Sequence, residues 1–180
     1  MKLMNLYKAV ATGSILLTST LANAADSKIP ECNQLISSIN QLEPVVRDFE
    51  RTSSQLVQGF QNAKNLDEIQ NLATESAREF NTLASDLDSI NQEIQLINLT
   101  DKQLNGLQNQ YAQTGQYLSQ GIRDMAQVMI DLSQIEETQA GLEKLNTIGG
   151  NIDSISQRLD NAAEANDKVV DGINSYCGAK

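Results

Sequence analysis

Apolar and small residues recur at alternating spacings of three and four along most of this chain, in four successive runs. The first goes from Leu35 through Ile39, Leu42, Val46, Phe49, Ser53, Leu56 and Phe60 to Ala63. The second goes from Ile69 through Ala73, Ser76, Phe80, Leu83, Leu87, Ile90 and Ile94 to Ile97. The third spans Leu104 to Ile135 by way of Leu107, Tyr111, Thr114, Leu118, Gly121, Met125, Val128 and Leu132. The fourth spans Leu145 to Tyr176 by way of Ile148, Ile152, Ile155, Leu159, Ala162, Asn166, Val169 and Ile173. A mean period of about 3.5 holds such residues on one helical stripe and lets neighbouring helices interlock knobs into holes. The fold expected is all-α: an antiparallel up-down-up-down four-helix bundle with coiled-coil-like heptad packing.

Capping chemistry sets the expected boundaries. Asn65 with Glu68 has the form of an N-cap and its reciprocal partner, and Thr100 with Gln103 repeats it. For the third joint, Thr138 to Gly141 competes with Gly149-Gly150. A break at the glycine pair would stop Cys177 about 30 Å short of Cys32 at the rise of an α-helix, so the first position is preferred. Helices are thus expected at about 32–63, 66–98, 101–136 and 139–176, with a kink or short opening segment at Pro44. Read as layers, the stripes put Phe80 opposite Ser53 and Gly121, Phe49 opposite Ala162, and Phe60 opposite Ala73. Each large ring then meets small partners, as a core filled to native density requires. A continuous rod through Asn98–Thr100, which lacks Gly and Pro, is the competing arrangement.

The N-terminus reads as an export signal. Lys2 and Lys8 precede an apolar run from Ala9 to Leu21, too short to span a bilayer, and then Ala22-Asn23-Ala24. Residues 1–24 are expected to be a signal peptide cleaved after Ala24, leaving 25–180 as a single domain outside the cytoplasm, periplasmic or secreted. No Cys sits at the cleavage site for lipid attachment, and no stable membrane insertion is expected. In that compartment Cys32 and Cys177, one near each end, are expected to form a structural disulfide. Neither a Cys-x-x-Cys spacing nor a neighbouring cation marks them as a reactive pair.

Charge and composition remove whole classes of chemistry. The 180-residue chain carries a formal charge of −10, and without Lys2 and Lys8 there remain 11 basic against 23 acidic residues. Phosphate backbones need clustered Lys and Arg, so nucleic acid is not an expected partner. The chain has no His. That removes the commonest general base, the usual triads and the Glu-x-x-His pairs of di-iron bundles. No haem-attachment or phosphate-cradling Gly motif is present, so no catalytic residue, cofactor or metal is expected. The acidic pairs Asp86 with Asp88 and Glu136 with Glu137 read as solvated helix surface, because calcium needs six or more converging oxygens.

Two constellations remain as candidate sites. Thr114 and Asn166 fall in one core layer with Val46 and Leu87, one layer from Tyr111. Such a buried polar layer either fixes register through a satisfied hydrogen bond or lines a small-molecule site between helices. Outside the stripe of the third helix, Tyr117, Ile122, Met129 and Ile130 read as an apolar docking surface. Asn98-Leu99-Thr100 matches a glycosylation sequon, but the signal peptide looks bacterial.

The expected function is that of an exported, non-enzymatic bundle that binds another protein, as adaptor, scaffold, chaperone-like factor or inhibitor. A small-molecule or sensor bundle with a site near Thr114 and Asn166 is the alternative. A secreted toxin or effector comes third, for want of a long apolar hairpin.

Overall fold

The computed structural model describes residues 28–178, so the signal peptide read at 1–24 lies outside the described residues. Within them the chain forms α1 (Lys28–Ile39), a 3-10 turn (Asn40–Leu42), α2 (Glu43–Asn62), α3 (Leu66–Gln95), α4 (Lys102–Ser133) and α5 (Gln139–Cys177). There are four helical stretches, the first broken into α1 and α2. Pro44 lies in the opening turn of α2, where its missing N–H costs nothing. The break itself sits at Asn40–Leu42, and the helix already covers residues 28–31, ahead of the expected start near residue 32.

The remaining joints show local chemistry and its limits. Asn65 Oδ1 accepts the Glu68 amide at 2.8 Å, and Glu68 Oε2 reaches back to the Lys64 amide at 2.8 Å. Thr138 caps α5 by accepting from the Gly141 amide at 3.1 Å. A Cβ at Gly141 would lie 2.0 Å from the Glu136 carbonyl oxygen, so this tight corner admits only glycine. At Gly149 and Gly150 a Cβ would meet nothing, and α5 runs straight through them.

Between α3 and α4 the expected cap is displaced by one residue. Asp101, not Thr100, accepts from the Gln103 and Leu104 amides, at 2.8 and 3.0 Å. Thr100 is otherwise engaged: its amide and hydroxyl both donate to the Glu31 carboxylate of α1. The rod does not continue here, since α3 ends at Gln95 and Leu96–Asp101 form a loop. Gln108 closes that end by donating from its side-chain amide to the Ile94 and Ile97 carbonyls, the latter at 2.9 Å.

The helices pack against one another, and Cys32 is bonded to Cys177 with a Cα separation of 5.7 Å. α3 and α4 share the most extensive interface, followed by α4 and α5. α2 rests on α3, and no Cα of α2 comes within 8 Å of one in α5. The hydroxyl of Thr52 donates to Glu79 at 2.8 Å across the α2–α3 seam. Arg123 pairs with Asp88 across α3–α4, and Arg158 with Asp124 at 2.7 Å across α4–α5.

A second set of buried residues explains how closely α3 and α4 approach. Ala77, Ala84 and Asn91 on α3 recur every seven residues, as do Ala112, Ser119 and Ala126 on α4, and all are buried. Small side chains at heptad spacing let two backbones come together, so the buried arc of α4 is wider than a single seam. Among the described residues no helix is long and apolar enough to cross a membrane.

Candidate functional site: a polar layer between two apolar cores

The buried apolar residues fall into two clusters. The larger holds Phe49, Leu56, Phe80, Leu83, Met125, Ile152 and Leu159 among others. The smaller holds Leu35, Ile36, Ile94, Leu104, Val169 and Ile173 among others. On α3 the larger core ends at Leu87 and the smaller begins at Ile94. On α5 the gap runs from Leu159 to Val169, and on the first stretch it contains the 3-10 turn. Small and polar residues occupy this waist.

Thr114 and Asn166, which the sequence singled out, lie in it, and Tyr111, the third residue so marked, borders it as a member of the smaller core. The Thr114 hydroxyl lies 2.8 Å from both the Tyr111 carbonyl and Asn166 Oδ1, and its one hydrogen serves one acceptor at a time. Asn166 is also hydrogen-bonded to the Tyr111 hydroxyl. Burial pushes the Tyr111 pKa well above its ordinary value, and the Asn166 contact offsets that only in part. Tyr111 therefore stays a neutral phenol across the working pH range.

The fourth residue escaped the sequence reading. Asn91 is buried, and neither its Oδ1 nor its Nδ2 has a hydrogen-bond partner. It presses on Gly115, where a Cβ would lie 2.2 Å from Oδ1. The signal available in the sequence was the seven-residue spacing that places Asn91 after Ala77 and Ala84. An unpaired buried amide costs about 1–3 kcal/mol. Asn91→Ala is accordingly expected to raise stability by about 1 kcal/mol, extending the alanine row. Gly115→Ala is expected to lower it by about 1–3 kcal/mol in the native background and by less when combined with Asn91→Ala. Urea unfolding of the two single variants and the double variant measures both effects.

The expected docking surface on α4 is corrected by burial. Ile122 and Met129 are 6% and 0% exposed, inside the larger core. Ile130 is half-buried against that core, and Tyr117 alone stands clear at 58%, its hydroxyl accepting from Gln113. The physical reason is the wide arc of α4, which is covered by α3 and α5 at once. Besides Tyr117, the exposed large apolar side chains are Leu96, at 83% in the α3–α4 loop, Ile29 on α1, and Leu142 and Leu145, at 57% and 38%, which alone share one helix face, on the first two turns of α5. Leu145 had been placed at the head of the fourth stripe, whose buried part begins at Ile148.

A third cluster joins the chain ends. Glu31 accepts from the Thr100 hydroxyl and amide and, at 3.0 Å, from the Asp101 amide. These donors hold its carboxyl below the usual carboxylate range. The Tyr176 hydroxyl donates to Asp101 Oδ2 at 2.8 Å, and the Lys28 ammonium lies 3.6 Å from the centre of the Tyr176 ring. Among the described residues no group of three His, Cys, Asp or Glu side chains is arranged to hold a metal ion.

Comparison of the chain with protein-family models, curated proteins and solved structures finds no match.

Proposed function

We propose that the chain is an exported, non-enzymatic bundle that binds another protein through its helical surface, in the periplasm or outside the cell. In this reading residues 1–24 are a cleaved signal peptide. The four helical stretches run up-down-up-down with coiled-coil-like heptad packing. Cross-helix partners support that arrangement: Thr114 meets Asn166, and further along α4 Asp124 meets the earlier Arg158 on α5.

The observation that carries the binding reading is the pair Leu142 and Leu145. Two leucines three residues apart on an otherwise polar helix surface give a partner an apolar anchor, and both stand exposed. The test is affinity capture from envelope and culture-supernatant extracts with the mature oxidised protein and with the L142E/L145E variant. The native protein is expected to recover one protein in near-stoichiometric amount. The variant is expected to lose it with an unchanged thermal midpoint, since both residues are exposed. Capture that survives the substitutions discards this surface, and empty capture from both extracts discards the reading.

A second reading, a small-molecule site at the waist near Thr114 and Asn166, is favoured by the unpaired amide of Asn91, which lies against Gly115, the residue after Thr114. A ligand that binds only the folded chain raises its thermal midpoint, so a thermal-shift screen decides it.

A further inference from the structure

α1 is built as a separate element. Its 12 residues bury Cys32, Leu35, Ile36 and Ile39, a spacing of i, i+3, i+4 and i+7 that lays one apolar face into a groove. The groove is made by the ends of α3, α4 and α5, with Ile94, Leu104, Val169 and Ile173 in its floor. α2, by contrast, has its close backbone approach to α3 and contributes to the other core. Both helices pack on α3, but α1 also meets α4 and α5, and the buried residues of the two belong to different cores. The 3-10 turn between them has no side-chain cap at its start. What fastens α1 is the Cys32–Cys177 bond, together with the Glu31 hydrogen bonds to the α3–α4 loop.

We propose that this groove is a receptor for an amphipathic helix, filled within the monomer by α1, and that when Cys32–Cys177 is open the α1 of a second copy takes its place. The second copy is the occupant because it carries the one helix whose face the groove already fits, with Cys32 placed to meet Cys177. Opening the bond needs a dithiol donor. One donor thiolate attacks a sulfur of the Cys32–Cys177 pair, and the mixed disulfide is resolved by the donor's second thiol. The donor leaves as its own disulfide, and both cysteines become thiols. Re-oxidation by that disulfide returns the two electrons and two protons to the donor. The bond that forms then joins either the same chain or two chains, according to which α1 is seated. Exchange of an identical element between protomers is a known route to dimers, and a hinge such as Asn40–Leu42 permits it. The proposal stands independently of any partner at Leu142 and Leu145.

The test mixes two full mature chains, one carrying Cys32→Ser and the other Cys177→Ser, under a glutathione redox buffer. Neither can close the bond within itself. The expected product is a species of twice the monomer mass, held by one bond between Cys32 of one chain and Cys177 of the other, as identified by peptide mapping. Adding Leu35→Asp to the chain that retains Cys32 is expected to abolish that product, because α1 no longer seats. Dimers joined only Cys32 to Cys32 or Cys177 to Cys177, or a product that survives Leu35→Asp, overturn the proposal. So does a monomer whose α1 amides exchange freely, which would leave the groove open to a foreign helix instead. If circular dichroism finds the single-cysteine chains unfolded, isotopically light and heavy native chains are refolded together in the same buffer. A Cys32–Cys177 peptide pair of mixed isotope then supports the proposal, and pairs of single isotope alone overturn it.

Discussion

Replacing both Cys32 and Cys177 by Ser is expected to lower the free energy of unfolding by about 5 kcal/mol, the largest effect of any substitution considered for this chain. The two residues are 145 apart in sequence. Tying them removes the entropy of closing a very long loop from the unfolded ensemble, a term that grows with the logarithm of loop length. The effect lies mainly in the unfolded state, so the slope of the urea transition should steepen as well, because a chain free of the cross-link expands and exposes more surface. Urea unfolding of the oxidised native protein beside the doubly substituted chain measures midpoint and slope together. An unchanged midpoint would mean that residual structure in the unfolded chain, or strain in the folded one, cancels the loop-closure term.

Phe80→Ala is expected to cost about 3–5 kcal/mol. Phe80 is fully buried in the larger core, and its ring centre lies 5.9 Å from that of Phe49, in a tilted pair. Truncation forfeits the transfer energy of the ring and leaves a cavity that two long helices cannot close by shifting. The close backbone approach of α2 is to α3, with Phe49 as one of its buried anchors. Hydrogen exchange in the Phe80→Ala protein should therefore rise first along α2, while α4 and α5 keep most of their protection. Uniform loss of protection across all helices would show that α2 is bound into one cooperative unit with the rest.

Much of the architecture could be read in advance because helices announce themselves locally. From Leu35 to Ile173 the stripe residues are buried or, as at Leu42, Val46, Phe60 and Ile69, half-buried, with Leu145 exposed, and the cap at Asn65 and the corner at Thr138–Gly141 stand where the spacing put them. The Cys32–Cys177 bond followed from the even count and the expected compartment. Thr114, Asn166 and Tyr111 are brought together by the fold. What was misread depended on a neighbour from elsewhere in the chain. Thr100 has the chemistry of a cap, but Glu31, 69 residues earlier, takes both its donors, and Asp101 caps α4 instead. Ile122 and Met129 lie outside the heptad stripe and would face water in a helix with one buried seam.

The sequence by itself determined the helices, their approximate ends and the face each one buries. Those properties rest on hydrogen bonds and spacings of three or four residues, which a chain carries with it into any environment. Only the tertiary structure decided how many neighbours each helix has. It covered α4 on two sides, left Leu142 and Leu145 uncovered, and pressed Asn91 against Gly115 with no partner for its amide. The physical reason is that burial belongs to pairs of elements. Whether an isoleucine or an asparagine outside the main stripe meets water or another helix depends on how closely two backbones approach. In this chain small residues recurring every seven positions on α3 and α4 set that distance.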